Sequence, residues 1–227
     1  MYKTLVVDDD PHVRKLVKVN LEKRGHIVEE AATGEEAISS IKQAVPDLVV
    51  LDLVMPGIDG IDVCIWIRAQ SDVPVIVLSA YDEEDLMVRA LDAGADDYVT
   101  KPFRTEEFLA RMRAVMRRAT PEANQLDDGK VEIGEMIVDL EARRVFVGGA
   151  DIALTRTEFA LLAELSKNVD TVLTHGELLA RVWGPQYRDE SHYLYIYLGR
   201  IRDKLGSKYG QLIETVSGVG YLLHSSF

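Results

Sequence analysis

Five short apolar runs, each followed by a segment of helical periodicity, constrain this chain more than any other feature. The runs cover residues 3–8, 27–31, 48–52, 75–79 and 97–100, and the helical segments cover 13–23, 35–42, 61–68, 84–93 and 106–118. Leu86, Ala90 and Ala93, for example, recur at the spacing of one helix face. Strands that alternate with helices in this way form a parallel sheet covered on both faces, a doubly wound α/β fold. The punctuation agrees. Gly25 and Gly94 follow the first and fourth helices, and Thr33 with Glu36 spells a capping box that opens the second.

An open parallel sheet gathers the carboxyl ends of its strands at one edge, where ligands bind. Here that edge collects Asp8, Asp9, Asp52, Ser79 and Lys101. Three carboxylates sit together only with raised pKa values or with a cation. A hard cation on oxygen ligands, faced by a lysine, is a site for a phosphoryl group. The first turn, Asp8-Asp9-Asp10-Pro11, has no glycine and repels a bare pyrophosphate, which argues against a dinucleotide or flavin site. Asp10 before Pro11 reads as a helix N-cap with proline at the first helical position. Asp8 and Asp9 are left without a structural task. Asp52 ends the most hydrophobic strand, and Lys101-Pro102 is a constrained placement suited to a cis peptide bond.

The pattern then changes. Residues 120–129 lack periodicity and read as a linker between a domain at 1–119 and another at 130–227. Short strands are expected at 131–133, 136–139, 144–147 and 152–154, with a Gly148-Gly149 hairpin turn. Capping boxes Thr155…Glu158 and Thr174…Glu177 open two helices, a third covers about 190–205, and a hairpin closes the chain. Helix, turn, helix and hairpin is the order of a winged helix-turn-helix. In the third helix Leu194, Leu198, Ile201 and Leu205 form a core stripe. The opposite arc carries His192, Ile196, Gly199, Arg200 and Asp203, flanked by Tyr195 and Arg202. An arginine there addresses guanine or phosphate, and Ile196 a thymine methyl. Net charge is −12 and both halves are acidic, so DNA binding must rest on local basic residues and on dimerisation. No apolar run approaches the roughly 20 residues that span a bilayer. Met1-Tyr2-Lys3 leads straight into a strand, and the single Cys64, among Val63, Ile65 and Ile67, reads as core; both fit a cytoplasmic protein.

Val6-Val-Asp-Asp9, Leu51-Asp-Leu-Val-Met-Pro56, Leu78-Ser-Ala80 and Asp97-Tyr-Val-Thr-Lys-Pro-Phe103 resemble the receiver domain of two-component response regulators. Residues 130–227 resemble the winged-helix effector of the OmpR/PhoB family. Trp183-Gly-Pro-Gln-Tyr and Glu190-Ser-His-Tyr are similar to segments of Kdp-type regulators of potassium transport. The resemblance implies a sheet order of 2-1-3-4-5 and a phosphoryl group accepted by Asp52 from a sensor histidine kinase. It implies Mg²⁺ held by Asp9, Asp52 and the backbone oxygen of Val54, with Asp8 acting through water. Lys101 and Ser79 then sense the phosphoryl oxygens, and Tyr98 swings inward as the switch. The fourth helix, fifth strand and fifth helix would form a homodimer face through Asp96, Asp97, Glu107, Arg111 and Arg113. Promoter DNA and RNA polymerase are the implied partners of the effector, with no membrane. Thr215 and Tyr221 are candidate phosphate donors to the DNA backbone. Met87, Gly199 and Ser217 depart from the family, standing where relatives often carry basic residues.

Two alternatives belong to other classes. One is an atypical regulator that binds DNA without phosphorylation. The other is a haloacid-dehalogenase-like phosphatase, because Val6-Val-Asp8-Asp-Asp10 fits an Asp-x-Asp signature with Asp8 as nucleophile. The residues otherwise lead to the expectation of a phosphoacceptor and transcription factor rather than an enzyme.

Overall fold

Each apolar run is a strand, and each lies parallel to its neighbours. In chain order the first half contains β1 (Lys3–Val7), α1 (Pro11–Glu22), β2 (Ile27–Ala31), α2 (Gly34–Gln43) and β3 (Leu48–Asp52). It continues with α3 (Gly60–Gln70), β4 (Val75–Ser79), α4 (Glu84–Asp92), β5 (Asp97–Thr100) and α5 (Thr105–Ala119). The sheet order is β2-β1-β3-β4-β5. The computed structural model describes residues 1–80, 84–119 and 129–227, divided into two compact units, Met1–Met116 and Arg117–Phe227. The expected linker at 120–129 lies, apart from Gly129, outside the described residues.

Strand side chains alternate between the two faces of the sheet. One set, including Val6, Val50, Ile76, Leu78 and Val99, packs with Val17 and Leu21 of α1 and Phe108, Met112 and Val115 of α5. The alternate set, including Leu5, Val7, Val49, Leu51, Val75 and Val77, is equally buried. The inward residues Ala37, Val63, Cys64, Ile67, Ala90 and Leu91 of α2, α3 and α4 are buried with it. Each fully buried side chain of this kind stabilises by about 1.5–3 kcal/mol. Asp10 caps α1 by accepting from the His12 amide at 2.8 Å, with Pro11 in the first turn. The Thr33 cap forms, but the Glu36 carboxylate returns to the Ala32 amide, one residue before the cap.

The second unit opens with an antiparallel sheet of β6 (Lys130–Ile133), β7 (Met136–Asp139), β8 (Arg144–Val147) and β9 (Ala150–Ile152). β9 starts two residues earlier than expected, because Gly148 and Gly149, at φ 56° and 80°, close a tight turn that pairs Val147 with Ala150. Next come α6 (Arg156–Ser166), β10 (Leu173–Thr174), α7 (His175–Val182), a 3₁₀ turn (Pro185–Tyr187) and α8 (Ser191–Gly210). The closing hairpin is β11 (Ile213–Val216) and β12 (Gly220–Leu223), with β10 added to β12. Both expected capping boxes are complete. Gly206, at φ 75°, interrupts α8, so the continuous helix ends at Leu205 as its sequence implied. None of the described helices is long and apolar enough to cross a membrane.

Candidate functional site

The ends of β1, β3, β4 and β5 deliver the predicted edge residues to one place. Asp8 follows β1 and is buried, with its Oδ1 accepting from the Asp10 amide at 2.9 Å. Its Oδ2 accepts from Lys101 Nζ at 2.7 Å. Asp52, the last residue of β3, is also buried, and its Oδ2 accepts from the same ammonium at 2.7 Å. Lys101 is therefore shared equally between two carboxylates. The exposed Asp9 completes a cluster in which one oxygen from each of Asp8, Asp9 and Asp52 lies within 4.8 Å of the others. Val54 sits at the rim, half-exposed, its amide 3.4 Å from Asp52 Oδ1. The Lys101 amide donates to the Ser79 carbonyl at 2.6 Å, which brings the buried Ser79 to the same edge. The Lys101–Pro102 bond is cis.

Burial pushes the Asp8 carboxyl up from its ordinary value, against the opposing pull of Lys101 and the Asp10 amide. Burial also acts to lower Lys101, but hydrogen bonds and charge from Asp52 and Asp8 outweigh it and leave the ammonium raised. The pocket thus gathers three carboxylates, with Lys101 as the cation bonded to two of them, and offers hard oxygen donors. This donor set suits a divalent cation such as Mg²⁺. The phosphatase alternative needs Asp8 as nucleophile, yet both its oxygens are already engaged and the side chain is 1% exposed. Asp10, its Asp-x-Asp partner, is an exposed helix cap.

Three supports had no clear sequence signal. Arg14 of α1 donates to the Asp8 and Asp9 carbonyls at 2.7 and 3.1 Å and steadies the acidic turn from below. Gly60 packs so closely under Asp52 that a Cβ would overlap the Asp52 carbonyl oxygen and stand 2.6 Å from Leu53 Cα. Arg68 of α3 donates to the Gly94 and Val73 carbonyls and to the Asp96 carboxylate, the last at 2.7 Å.

The expected dimer face needs two corrections. Asp96 is buried and committed within the chain, to Arg68 and to the Val75 amide, because it joins the entries of β4 and β5. Asp97 is fully buried and pairs with Arg111 of its own chain at 3.3 Å while accepting from the Tyr98 amide. Arg111 also pairs with Glu107 at 3.2 Å; Glu107 and Arg113 are exposed. Tyr98 is buried, at 4% exposure.

In the effector the leucine stripe of α8 is buried as expected. Ile196 is buried too and is no base contact. Trp183, Tyr187, Tyr193 and Tyr197 form an aromatic group along a second side of the helix, with ring centroids 5.4–6.4 Å apart, which widens the buried arc. Tyr221 is likewise buried, with its hydroxyl pushed up by desolvation, so it is no ready phosphate donor. Arg202 donates twice to the Ile213 carbonyl, at 2.8 and 3.1 Å, and once to Thr215 Oγ1 at 2.8 Å, bracing α8 against β11. Arg200 lies half-buried over the Tyr197 ring at 5.4 Å. Tyr195, 78% exposed, projects furthest, beside half-buried His192 and an open Gly199 where a Cβ would meet nothing within 4 Å. Thr215 is exposed.

Residues 4–113 match the family model of the response regulator receiver domain, and residues 149–223 match that of the transcriptional regulatory protein C-terminal domain. The chain is 44% identical over 223 residues to the transcriptional regulatory protein KdpE of Mycobacterium tuberculosis H37Rv, covering 97% of this chain and 98% of that one. It belongs to the OmpR/PhoB-type response regulators. The response regulator MprA of Mycolicibacterium vanbaalenii is 42% identical over 226 residues, covering 99% and 98% of the two chains. A point mutant of RitR superposes on this regulator with a TM-score of 0.76 at 25% identity, over 99% of each chain. DrrB, an OmpR/PhoB homologue from Thermotoga maritima, gives 0.54 at 30% identity over the same share. A regulator of this type pairs a receiver with a DNA-binding domain and works with a sensor kinase and DNA.

Proposed function

We propose that this regulator accepts a phosphoryl group on Asp52 from a sensor histidine kinase and, so modified, dimerises and binds promoter DNA through α8 and the closing hairpin. The observation that carries this reading is Lys101 Nζ, held 2.7 Å from both Asp8 and Asp52 beside the three-carboxylate cluster. An Asp52 oxygen bonds to phosphorus as the phosphorus–nitrogen bond of the phosphohistidine breaks, its electron pair returning to the imidazole. Lys101 then turns from Asp52 to an oxygen of the new acyl phosphate, and the Ser79 hydroxyl binds another. Asp8, Asp9, Asp52 and the Val54 carbonyl would hold Mg²⁺. Bound there, the ion supplies charge neutralisation for the carboxylate and the incoming phosphoryl oxygens.

Lys101 and Ser79 are joined through the backbone between β5 and β4, and Tyr98 lies on the same strand as Thr100. This continuity supports Tyr98 as the element that passes the change to the dimer face, which retains Glu107 and Arg113 at the surface, with the largely covered Arg111 held between Asp97 and Glu107. On DNA, Tyr195, His192 and the open backbone at Gly199 present the reading surface, with Thr215 near the phosphates and RNA polymerase as the recruited partner. The cytoplasm is the compartment this reading requires.

Phosphotransfer to wild-type and Asp52→Ala chains tests the first step: acid-labile phosphate on the variant would refute it. Selection of bound duplexes from a random pool, with and without beryllofluoride and Mg²⁺, tests the second. Identical selection and identical oligomer mass in both arms would favour the phosphorylation-independent alternative.

A further inference from the structure

The reading surface of α8 is fixed from behind. Tyr195 and Lys204 are nine residues apart, about two and a half helical turns, which places them on opposite sides of the helix. Lys204 Nζ donates to Glu158 Oε2 at 2.7 Å, and the Glu158 side chain is 1% exposed. The same Oε2 accepts from the Thr155 amide at 2.7 Å, closing the capping box that starts α6. Oε1 is buried without a hydrogen-bond partner. A buried carboxylate this sparsely satisfied depends on its one ammonium. No other cation is recorded on Glu158 among the described residues.

We propose that Lys204 is a positioning residue rather than a DNA contact: its pair with Glu158 sets the rotation of α8 about its axis, and so the reach of Tyr195, His192 and Gly199. The proposal rests on α8 being the DNA-reading helix. A lysine near the end of such a helix invites the opposite assignment, as a phosphate contact, and the two differ in their measurable consequences. A phosphate contact lowers affinity uniformly when removed and reduces the slope of log affinity against log salt by about one unit. A positioning residue leaves slope and non-specific affinity unchanged and erodes the ratio of specific to non-specific binding.

Glu158 sharpens the contrast. It is buried and cannot touch DNA. If Lys204 served a phosphate, Glu158→Gln would release it and raise non-specific affinity. If the pair positions α8, Glu158→Gln lowers specific affinity instead.

The experiment uses the full chain with beryllofluoride and Mg²⁺. It compares the duplex selected by wild type from a random pool with a scrambled duplex of equal length, across a salt series. Because Lys204→Met alone leaves a buried charge and risks misfolding, the double variant Glu158→Gln/Lys204→Met, which leaves none, is measured beside Glu158→Gln. Both are expected to lose about tenfold or more in the specificity ratio at unchanged salt slope. A slope reduced by about one in the double variant, or stronger non-specific binding by Glu158→Gln, overturns the proposal; so does an unchanged ratio. If wild type selects no sequence at all, the DNA-binding reading itself fails, and the positioning role with it.

Discussion

Replacing Lys101 by methionine keeps most of the side chain's volume and removes its charge, which isolates the electrostatics of the acidic pocket. The ammonium lies 2.7 Å from oxygens of both Asp8 and Asp52 and is 15% exposed. Without it, two carboxylates with oxygens within 4.8 Å of each other are left facing across a mostly buried site. At an effective dielectric of about 20 that repulsion is about 3 kcal/mol. Protonation of Asp8, already raised by burial, offers a partial escape. We expect a net loss of about 2–4 kcal/mol at pH 7.

The pH dependence follows from the sign. A carboxyl whose folded pKa exceeds its unfolded value binds more protons when folded, so stability falls as pH rises through that range. Removing Lys101 raises Asp8 further, so the variant should fall more steeply than wild type between about pH 4 and 7. The stabilisation carried by the raised Lys101 itself is lost only on the alkaline side, as pH rises through its folded pKa, and does not enter this window. Urea unfolding followed by Trp66 fluorescence, in a Trp183→Phe background that silences the other tryptophan, reports the first unit alone. The deficit should shrink by more than half at pH 5 and on addition of Mg²⁺. An equal deficit at both pH values, untouched by Mg²⁺, would show that Lys101 matters through packing and would sink the argument.

Three further outcomes are expected. Asp8→Asn should stabilise the first unit at pH 7 and flatten its stability above about pH 4, while weakening Mg²⁺ binding; a less stable variant at pH 7 would contradict the raised pKa. Gly60→Ala should cost about 1–3 kcal/mol by forcing the β3–α3 turn off Asp52, and should slow phosphotransfer more than it lowers the melting temperature implies; normal phosphotransfer at normal stability would exclude the close contact. Arg68→Ala leaves the buried Asp96 carboxylate without its cation and should cost about 3 kcal/mol in the same unfolding assay; a change below about 0.5 kcal/mol would place Arg68 among surface pairs of little consequence.

The sheet was legible because both its faces are covered, which turns each strand into an unbroken apolar run such as Leu48–Asp52. The acidic edge was legible for a related reason: Asp52 or Lys101 at the end of such a run has no packing role to account for it. What stayed hidden was the use made of charge beyond the edge. Asp96 and Asp97 are adjacent acids in sequence, but whether they face solvent depends on Arg68 and Arg111, which are 28 and 14 residues away. Ile196 lies on the polar arc of an isolated helix yet is buried, and an aromatic group lies along a second side of α8 that no single-helix periodicity announces. β10 is two residues long, too short for any alternation to register. Periodicity reports one helix or one strand at a time, and these residues are decided by their neighbours.

The Arg68 cluster has a mechanical consequence. By holding the entry to β4 at Val73 and Val75 and the entry to β5 at Gly94 and Asp96, it clamps two neighbouring strands at one end. A pair of strands fixed there behaves as a short cantilever, and Ser79 and Lys101 stand at its free tip. Force applied at the tip cannot be relieved by sliding the strands along their length. It must emerge as a sideways deflection, largest at Thr100 beside the tip and falling through Tyr98 toward the clamp. Loosening Arg68 would let the pocket fill without bending anything, leaving a receiver that takes its signal and transmits little of it.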